Sequence, residues 1–360
     1  MPTTVLAAGD HFVLPSLLTK ALRAEFAEPL DVRELTLPWP DVPFRPVGEV
    51  DEASGSEDEI IKALAGARIC VTQTAPLTEK VLTACPDLEL FCVGRGGPVN
   101  ANIPAATAHG VAVCSAPGRN ATATAEHTIA LMLAALRRIP QAHTELTAGV
   151  WRVDHYRYDT VGLEMENRTV GLIGYGAVGR RVAAIAAAFG AHVLVHDPYI
   201  DAGTLTGIAK QVSLGELLAR SQMVSLHARL TEETRGLLNA ARIRALPRGA
   251  VLVNCARGAL VDYDAVCDAL NDGHLFAAAF DVYPTEPLPP DSRLLTIPNV
   301  VLTPHLAGAS RETAHNAARI TAAEVARYLR GEPLAHCVNP DALGRRHARH
   351  LLRREGNRRE

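Results

Sequence analysis

The chain has 360 residues, of which 48% are hydrophobic, 21% charged and only 4% aromatic, and its formal net charge is -3. This length supplies apolar cores for two domains, and the balance is that of a soluble globular protein. A nearly neutral chain with few aromatics argues against nucleic acid and acidic membranes as partners.

The amino-terminal "MPTTVLAAGDHF" lacks a basic segment followed by a long apolar run, so no signal peptide is expected, and no window is long and apolar enough to span a bilayer. Seven cysteines, scattered singly, form neither a disulfide framework nor a C-x-x-C metal pattern. Most sit in apolar runs such as "RICVTQ" and "LFCVG", where a buried thiol is expected. The reading is a cytoplasmic protein without a metal.

Along the first third, "TTVLAA", "ARICVTQ", "LELFCVG" and "VAVCSA" read as buried strands. Between them lie a proline-rich loop, "LPWPDVPFRP", and an acidic surface stretch, "EVDEASGSEDE". A long helical run, Thr122–Ile139, leads into the polar, aromatic "WRVDHYRYDTVGLEMEN". Strands resume with "RTVGLIG", "AHVLVHD", "QMVSLHA", "GAVLVNCA", "FAAAFDV" and "NVVLTPH", separated by helical segments at Ala177–Phe189, Leu214–Arg220 and Tyr263–Leu270. A second long helix covers Arg311–Arg330, and the tail beyond Asn339 carries seven arginines, read as a solvated end rather than a nucleic-acid arm.

Strand–helix alternation of this kind predicts parallel sheets covered on both faces. The expected α/β architecture is two Rossmann-like, doubly wound parallel-sheet domains with an active-site cleft between them. Residues 1–118 form the first part of a substrate domain, 119–309 a dinucleotide domain, 310–338 a helix returning to the first, and 339–360 a basic tail.

The dinucleotide assignment rests on "GLIGYGAVGRRVAA". Gly174, Gly176 and Gly179 are spaced G-x-G-x-x-G between a buried strand and a helix, the context that a pyrophosphate cradle requires. The first glycine makes the sharp turn, the second admits a phosphate against backbone, and the third lets helix and strand pack closely. The N–H groups at Ala177, Val178 and Gly179 then open the helix toward the negative charge. Asp197 ends the next strand, 18 residues beyond Gly179. Its carboxylate suits two ribose hydroxyls and repels a 2′-phosphate, which favours NAD over NADP. A plain turn-starting role before Pro198 is the alternative.

Ligands of open parallel sheets bind beyond the carboxyl ends of the strands, where Arg257, Glu286 and His305 occur. A guanidinium grips a carboxylate with two prongs, and an imidazole exchanges a hydroxyl proton near neutral pH. A carboxylate beside the imidazole favours its charged form. Taken singly, the three also fit a surface ion pair, a loop charge and a helix-start residue.

From about residue 60 to 338 the sequence resembles the D-isomer-specific 2-hydroxyacid dehydrogenases. The likeness rests on "VGRGGPVNANI", "NATATAEHTIALMLAALRRI", "TVGLIGYGAVGRRVA", "VHDPY", "SLHARLTEETRGLLN", "LVNCARGALVD", "AAAFDVYPTEPLP" and "LTPHLAGAS". It implies that Arg257 anchors a small 2-hydroxy or 2-keto acid, that His305 exchanges the proton, and that Glu286 tunes it. It further implies that backbone N–H groups at Arg95, Gly96 and Gly97 meet the substrate carboxylate. Asp281 and the Cys255–Ala256 backbone should face the nicotinamide, with Ala228, Thr234 and Thr124 bordering NAD. A homodimer paired through the cofactor domains is implied too. Arg229 and Pro98 depart from the family pattern, at positions more often proline and a small polar residue. No added regulatory domain is seen, so feedback control by an amino acid is not expected. Two other readings share the scaffold: a dehydrogenase for another small anion such as formate or phosphite, and a non-catalytic NAD sensor of the corepressor kind.

Overall fold

The computed structural model describes residues 3–26, 30–40, 45–201, 203, 205 and 207–344; the arginine-rich end from 345 on lies outside the described residues. The chain forms two compact units. One holds the described residues up to Asn120 together with those from Ser310 on, and the other holds Ala121–Ala309.

The first unit contains β1 (Thr4–Gly9), α1 (Pro15–Glu25), β2 (Asp31–Thr36), a hairpin of β3 (Arg45–Val47) and β4 (Val50–Ala53), α2 (Glu57–Leu64), β5 (Ile69–Thr72), α3 (Glu79–Ala84), β6 (Leu90–Val93), α4 (Ile103–His109) and β7 (Ala112–Cys114). Its main sheet runs β2-β1-β5-β6-β7, parallel throughout. Every residue of β5, β6 and β7 is buried, as strands covered on both faces require. The sequence pattern missed β2, "DVRELT", because it is an edge strand whose residues are mostly exposed and half of them charged.

The second unit opens with α5 (Ala121–Leu136) and α6 (Ile139–Thr147), then continues through β8 (Thr169–Ile173), α7 (Gly179–Ala188), β9 (His192–His196), β10 (Ala209–Gln211), α8 (Leu214–Arg220), β11 (Met223–Leu226), α9 (Ala240–Arg244), β12 (Ala250–Asn254), α10 (Tyr263–Asn271), β13 (Leu275–Phe280) and β14 (Val300–Leu302). Its parallel sheet has the order β10-β9-β8-β11-β12-β13-β14. The strand order reverses between β8 and β11, and that is where such sheets bind ligands. One core packs Leu226, Leu252, Val266 and Phe280 on one face, and another packs Met132, Val170, Leu172 and Val182 on the opposite face.

Two predicted helices need correction. The single run Thr122–Ile139 is broken: Arg138 takes φ +52°, and Pro140 opens α6. Proline lacks the N–H that a continuing helix needs, and its ring collides with the carbonyl four residues back. The predicted helix from Ala177 starts at Gly179, so Ala177 and Val178 belong to the preceding turn.

The last helix, α11 (Arg311–Arg330), starts on Ser310, whose Oγ accepts the Thr313 N–H at 3.0 Å, and ends at Gly331 with φ +69°. Ala314, Ala317, Ala318, Ala322 and Val325 form its buried stripe in a core with Val71, Leu90 and Leu22. Small residues at this spacing let the helix settle close to the sheet. The chain beyond is stitched back into the first unit. The Val338 N–H donates to the Val113 carbonyl at 2.8 Å, and the buried Glu324 carboxylate accepts the Ala335 N–H at 3.1 Å.

Candidate active site

The glycine loop after β8 divides its work between the fold and a ligand. Gly174 has φ +100°, and a side chain there would meet the His227 carbonyl carbon at 2.7 Å. A Cβ on Gly179 would lie 2.2 Å from the Gly174 oxygen. The first and third glycines are therefore required by packing. Around Gly176, in contrast, a Cβ would meet nothing within 4 Å. That open backbone, followed by the start of α7 where Val178 offers no side-chain cap, fits the cradle of a pyrophosphate. Behind the loop, burial pushes His227 down to about 4, so it stays neutral.

Asp197 starts its own turn and also braces the glycine loop. One carboxylate oxygen accepts the Tyr175 N–H of the glycine loop at 2.7 Å, and the other accepts the Tyr199 N–H of its own turn at 2.9 Å. Each oxygen keeps a further lone pair, so the group can still receive ribose hydroxyls. Across the point of strand reversal, Ala228 and Arg229 follow β11. Thr234 turns into its own loop, donating its hydroxyl to the Arg229 carbonyl at 2.7 Å and accepting the Thr231 N–H at 2.8 Å. Thr124 is buried in the first turn of α5. Arg95, Gly96 and Gly97 lie on the first unit, after β6, where both glycines face open space.

Three segments at the carboxyl ends of β12, β13 and β14 carry Arg257, Glu286 and His305. The His305 Nδ1 lies 2.7 Å from Oε2 of Glu286, whose other oxygen accepts the Tyr283 N–H at 3.0 Å. With Nδ1 committed to the carboxylate, Nε2 is the nitrogen left to exchange a proton with a substrate. The Glu286 hydrogen bond raises His305 above the ordinary imidazole range, against the opposing effects of burial and of the Arg257 charge. Burial pulls Glu286 upward, but the bonds from His305 and Tyr283 and the charges of His305 and Arg257 outweigh it and hold the carboxyl below its usual range. The three groups thus lie within electrostatic reach of one another.

Other residues hold this set in place. Asn254, at the end of β12, donates to the Arg257 carbonyl at 2.9 Å and accepts the Ala256 N–H at 3.0 Å, so it ties the arginine-bearing turn from both sides. Gly258 lets that turn lie against the next one, because a Cβ there would sit 2.0 Å from the Tyr283 oxygen. Cys255 is buried, which pushes its thiol up to about 12.

Asp281 is fully buried and accepts the Thr303 hydroxyl at 2.6 Å, the Leu306 N–H at 2.9 Å and the Ala307 N–H at 2.8 Å. These bonds bracket His305, whose φ of +51° is an uncommon conformation for a residue with a side chain. The His127 ring on α5 lies 3.0 Å from the Thr303 hydroxyl and supports the same loop. The sequence motifs contained Asn254, His127 and Thr303 without marking them, since each acts through contacts that sequence spacing does not disclose. His127 and Thr303 are separated by 176 residues.

Residues 129–307 match the family model described as D-isomer specific 2-hydroxyacid dehydrogenase, NAD binding domain. A D-3-phosphoglycerate dehydrogenase of Methanocaldococcus jannaschii is 36% identical over 297 residues, covering 81% of this chain and 56% of that protein. The chain therefore spans just over half the length of this relative. A glyoxylate reductase of Korarchaeum cryptofilum is 36% identical over 296 residues, with 81% of this chain and 89% of that protein covered. Among solved structures, the TT0316 protein from Thermus thermophilus superposes with a TM-score of 0.76 at 32% identity, over 93% of this chain and 100% of that one. Fold, strand-end residues and these likenesses together place the chain in the D-isomer specific 2-hydroxyacid dehydrogenase family.

Proposed function

We propose that the protein is an NAD-dependent dehydrogenase interconverting a small D-2-hydroxy acid and its 2-keto acid. The observation that carries this reading is the His305–Glu286 pair at 2.7 Å, within electrostatic reach of Arg257, on the same sheet edge as the glycine cradle. When bound, the nicotinamide supplies or accepts the hydride at C2. In reduction, protonated His305 gives its Nε2 proton to the keto oxygen while Glu286 stabilises the imidazolium before transfer. Arg257 draws charge onto that oxygen and grips the carboxylate. The first unit acts as the substrate domain, with the N–H groups of Arg95, Gly96 and Gly97 serving the same acid. Asp281 and the Cys255–Ala256 backbone border the nicotinamide. Initial rates of NADH oxidation across a panel of 2-keto acids test the reading; inertness toward every member would overturn it.

Asp197 sets the cofactor preference. Asp197→Ala is expected to weaken NADH binding by about 10- to 100-fold, the worth of one or two charge-assisted hydrogen bonds, and to narrow the preference over NADPH. An unchanged NADH:NADPH ratio refutes this role.

We also assign the protein to the cytoplasm and to a homodimer. Six of its seven cysteines are buried and all are free, which suits a reducing compartment. No helix among the described residues is long and apolar enough to cross a membrane. The stretch after α6 exposes Trp151, Val153, Tyr156 and Tyr158, while its arginines pair locally, Arg152 with Glu145 and Arg157 with Asp159, and the His155 ring also meets Glu145. Paired arginines and uncovered aromatics favour a contact with a second copy. A monomer in sedimentation equilibrium at micromolar concentration would remove the dimer.

A further inference from the structure

The first unit carries a cation that the chemistry above does not use. Arg119 follows β7, at the same carboxyl edge of the sheet as Asp10 after β1 and Arg95 after β6. Its Nη1 is buried and has no hydrogen-bond partner, and among the described residues its guanidinium forms no ion pair. The Arg119 guanidinium carbon lies 5.9 Å from the Phe12 ring centroid, and its backbone carbonyl accepts the Asn316 side-chain N–H from α11 at 3.2 Å. The residue is therefore fixed rather than trailing in solvent.

The nearby carboxylates do not satisfy it. Asp10 is occupied by the N–H groups of Phe12 and Val13, both at 2.8 Å, and by the Thr74 hydroxyl at 3.2 Å. Glu52 pairs with Arg95 instead. The Arg95 loop is drawn to the same place, since its carbonyl accepts the Ala116 N–H at 2.6 Å. Burial, and then the Arg95 charge, push Arg119 down to about 10 while Asp10 acts the other way. Two guanidiniums that oppose each other's charge, one of them half-buried with a nitrogen that has no hydrogen-bond partner, are costly for a fold to keep. An anion relieves both costs, and the planar fork of arginine suits a phosphate or a carboxylate. Gly96 and Gly97 beside Arg95 leave open space for one.

We propose that Arg119, with Arg95 beside it, forms an anion subsite that receives a second acidic group of the substrate, a phosphate ester or a second carboxylate. The inference rests on the dehydrogenase reading for its reaction, but the subsite itself does not. It makes Arg119 a specificity-determining residue and narrows the substrate to acids with two anionic groups.

The test compares full-length wild type, Arg119→Met and Arg119→Lys on matched 2-keto acids. Hydroxypyruvate is set against its phosphate ester, and 2-oxobutyrate against oxaloacetate. In the wild type, kcat/KM is expected to favour at least one dianion over its partner, and the favoured pair identifies phosphate or carboxylate as the group read. In Arg119→Met that ratio should fall about 10- to 100-fold, with Arg119→Lys between. A ratio unmoved by Arg119→Met, or a wild type indifferent to the second charge, overturns the proposal.

Calorimetry with inorganic phosphate and with malonate gives an independent readout. Binding by the wild type that Arg119→Met abolishes and Arg119→Lys weakens supports the subsite even if no keto acid is reduced, in which case the dehydrogenase reading fails alone. Absence of both anions from the wild type overturns the subsite whatever the kinetics show. Should Arg119→Met fail to fold, the lysine variant decides: ratio and affinity equal to wild type count against the proposal.

Discussion

His305→Ala is expected to lower kcat for 2-keto acid reduction by about 10²- to 10⁴-fold, the range for loss of a positioned general acid, with NADH affinity retained. The imidazole is the group whose free nitrogen can deliver a proton, because Nδ1 is held by Glu286. The cradle proposed for NADH lies elsewhere in the unit, on Gly174–Gly179 and Asp197, so the two losses should separate. Fluorescence titration with NADH beside single-turnover rates measures both. A variant that turns over at the wild-type rate removes His305 from the reaction.

The pH profile supplies a second, linked outcome. Reduction needs the charged imidazole, which persists below the His305 pKa and is lost as pH rises through it. Glu286 raises that pKa. Glu286→Gln should therefore move the alkaline fall of kcat/KM for reduction to lower pH, and the opposite direction would contradict the pairing. Oxidation needs the neutral imidazole, so its rise with pH should begin earlier in the same variant.

The second large effect belongs to Arg257. Arg257→Ala is expected to reduce kcat/KM for the keto acid by about 10²- to 10³-fold, comparable to removing one donor from a developing oxyanion. Arg257→Lys should recover part of the loss, because the ammonium retains the charge but not the two-pronged geometry. Asn254 straps the turn from both sides and Gly258 seats it against Tyr283, so either substitution should leave the backbone in place. Steady-state kinetics with unchanged thermal unfolding make the comparison clean. A kcat/KM within error of wild type in Arg257→Ala would falsify the anchoring role.

Apolar runs announced the buried strands well, since β5, β6, β8, β11, β12 and β13 are wrapped on both faces and have little choice of composition. The same rule concealed β2 and β10, which lie at sheet edges and carry polar residues. Arg138 illustrates a different limit: helical periodicity continues across it, while the Pro140 ring forces a break. At the site, glycine spacing and strand-end residues were legible because each is a local feature. The clasp of Asp281 on Thr303, Leu306 and Ala307 was not, because it joins strands whose adjacency only folding creates. Nor was the burial of the Arg119 Nη1 without a hydrogen-bond partner, which depends on what surrounds a side chain rather than on its type.

A crystal structure of the protein with NADH and oxamate, an unreactive mimic of a 2-keto acid, examines the shared chemistry at its source. The His305 Nε2 should lie about 3 Å from the mimic's amide oxygen, within hydrogen-bonding distance, with the Arg257 fork on its carboxylate. An imidazole turned to solvent, its Glu286 bond broken and its nitrogen out of reach of the bound acid, would contradict it.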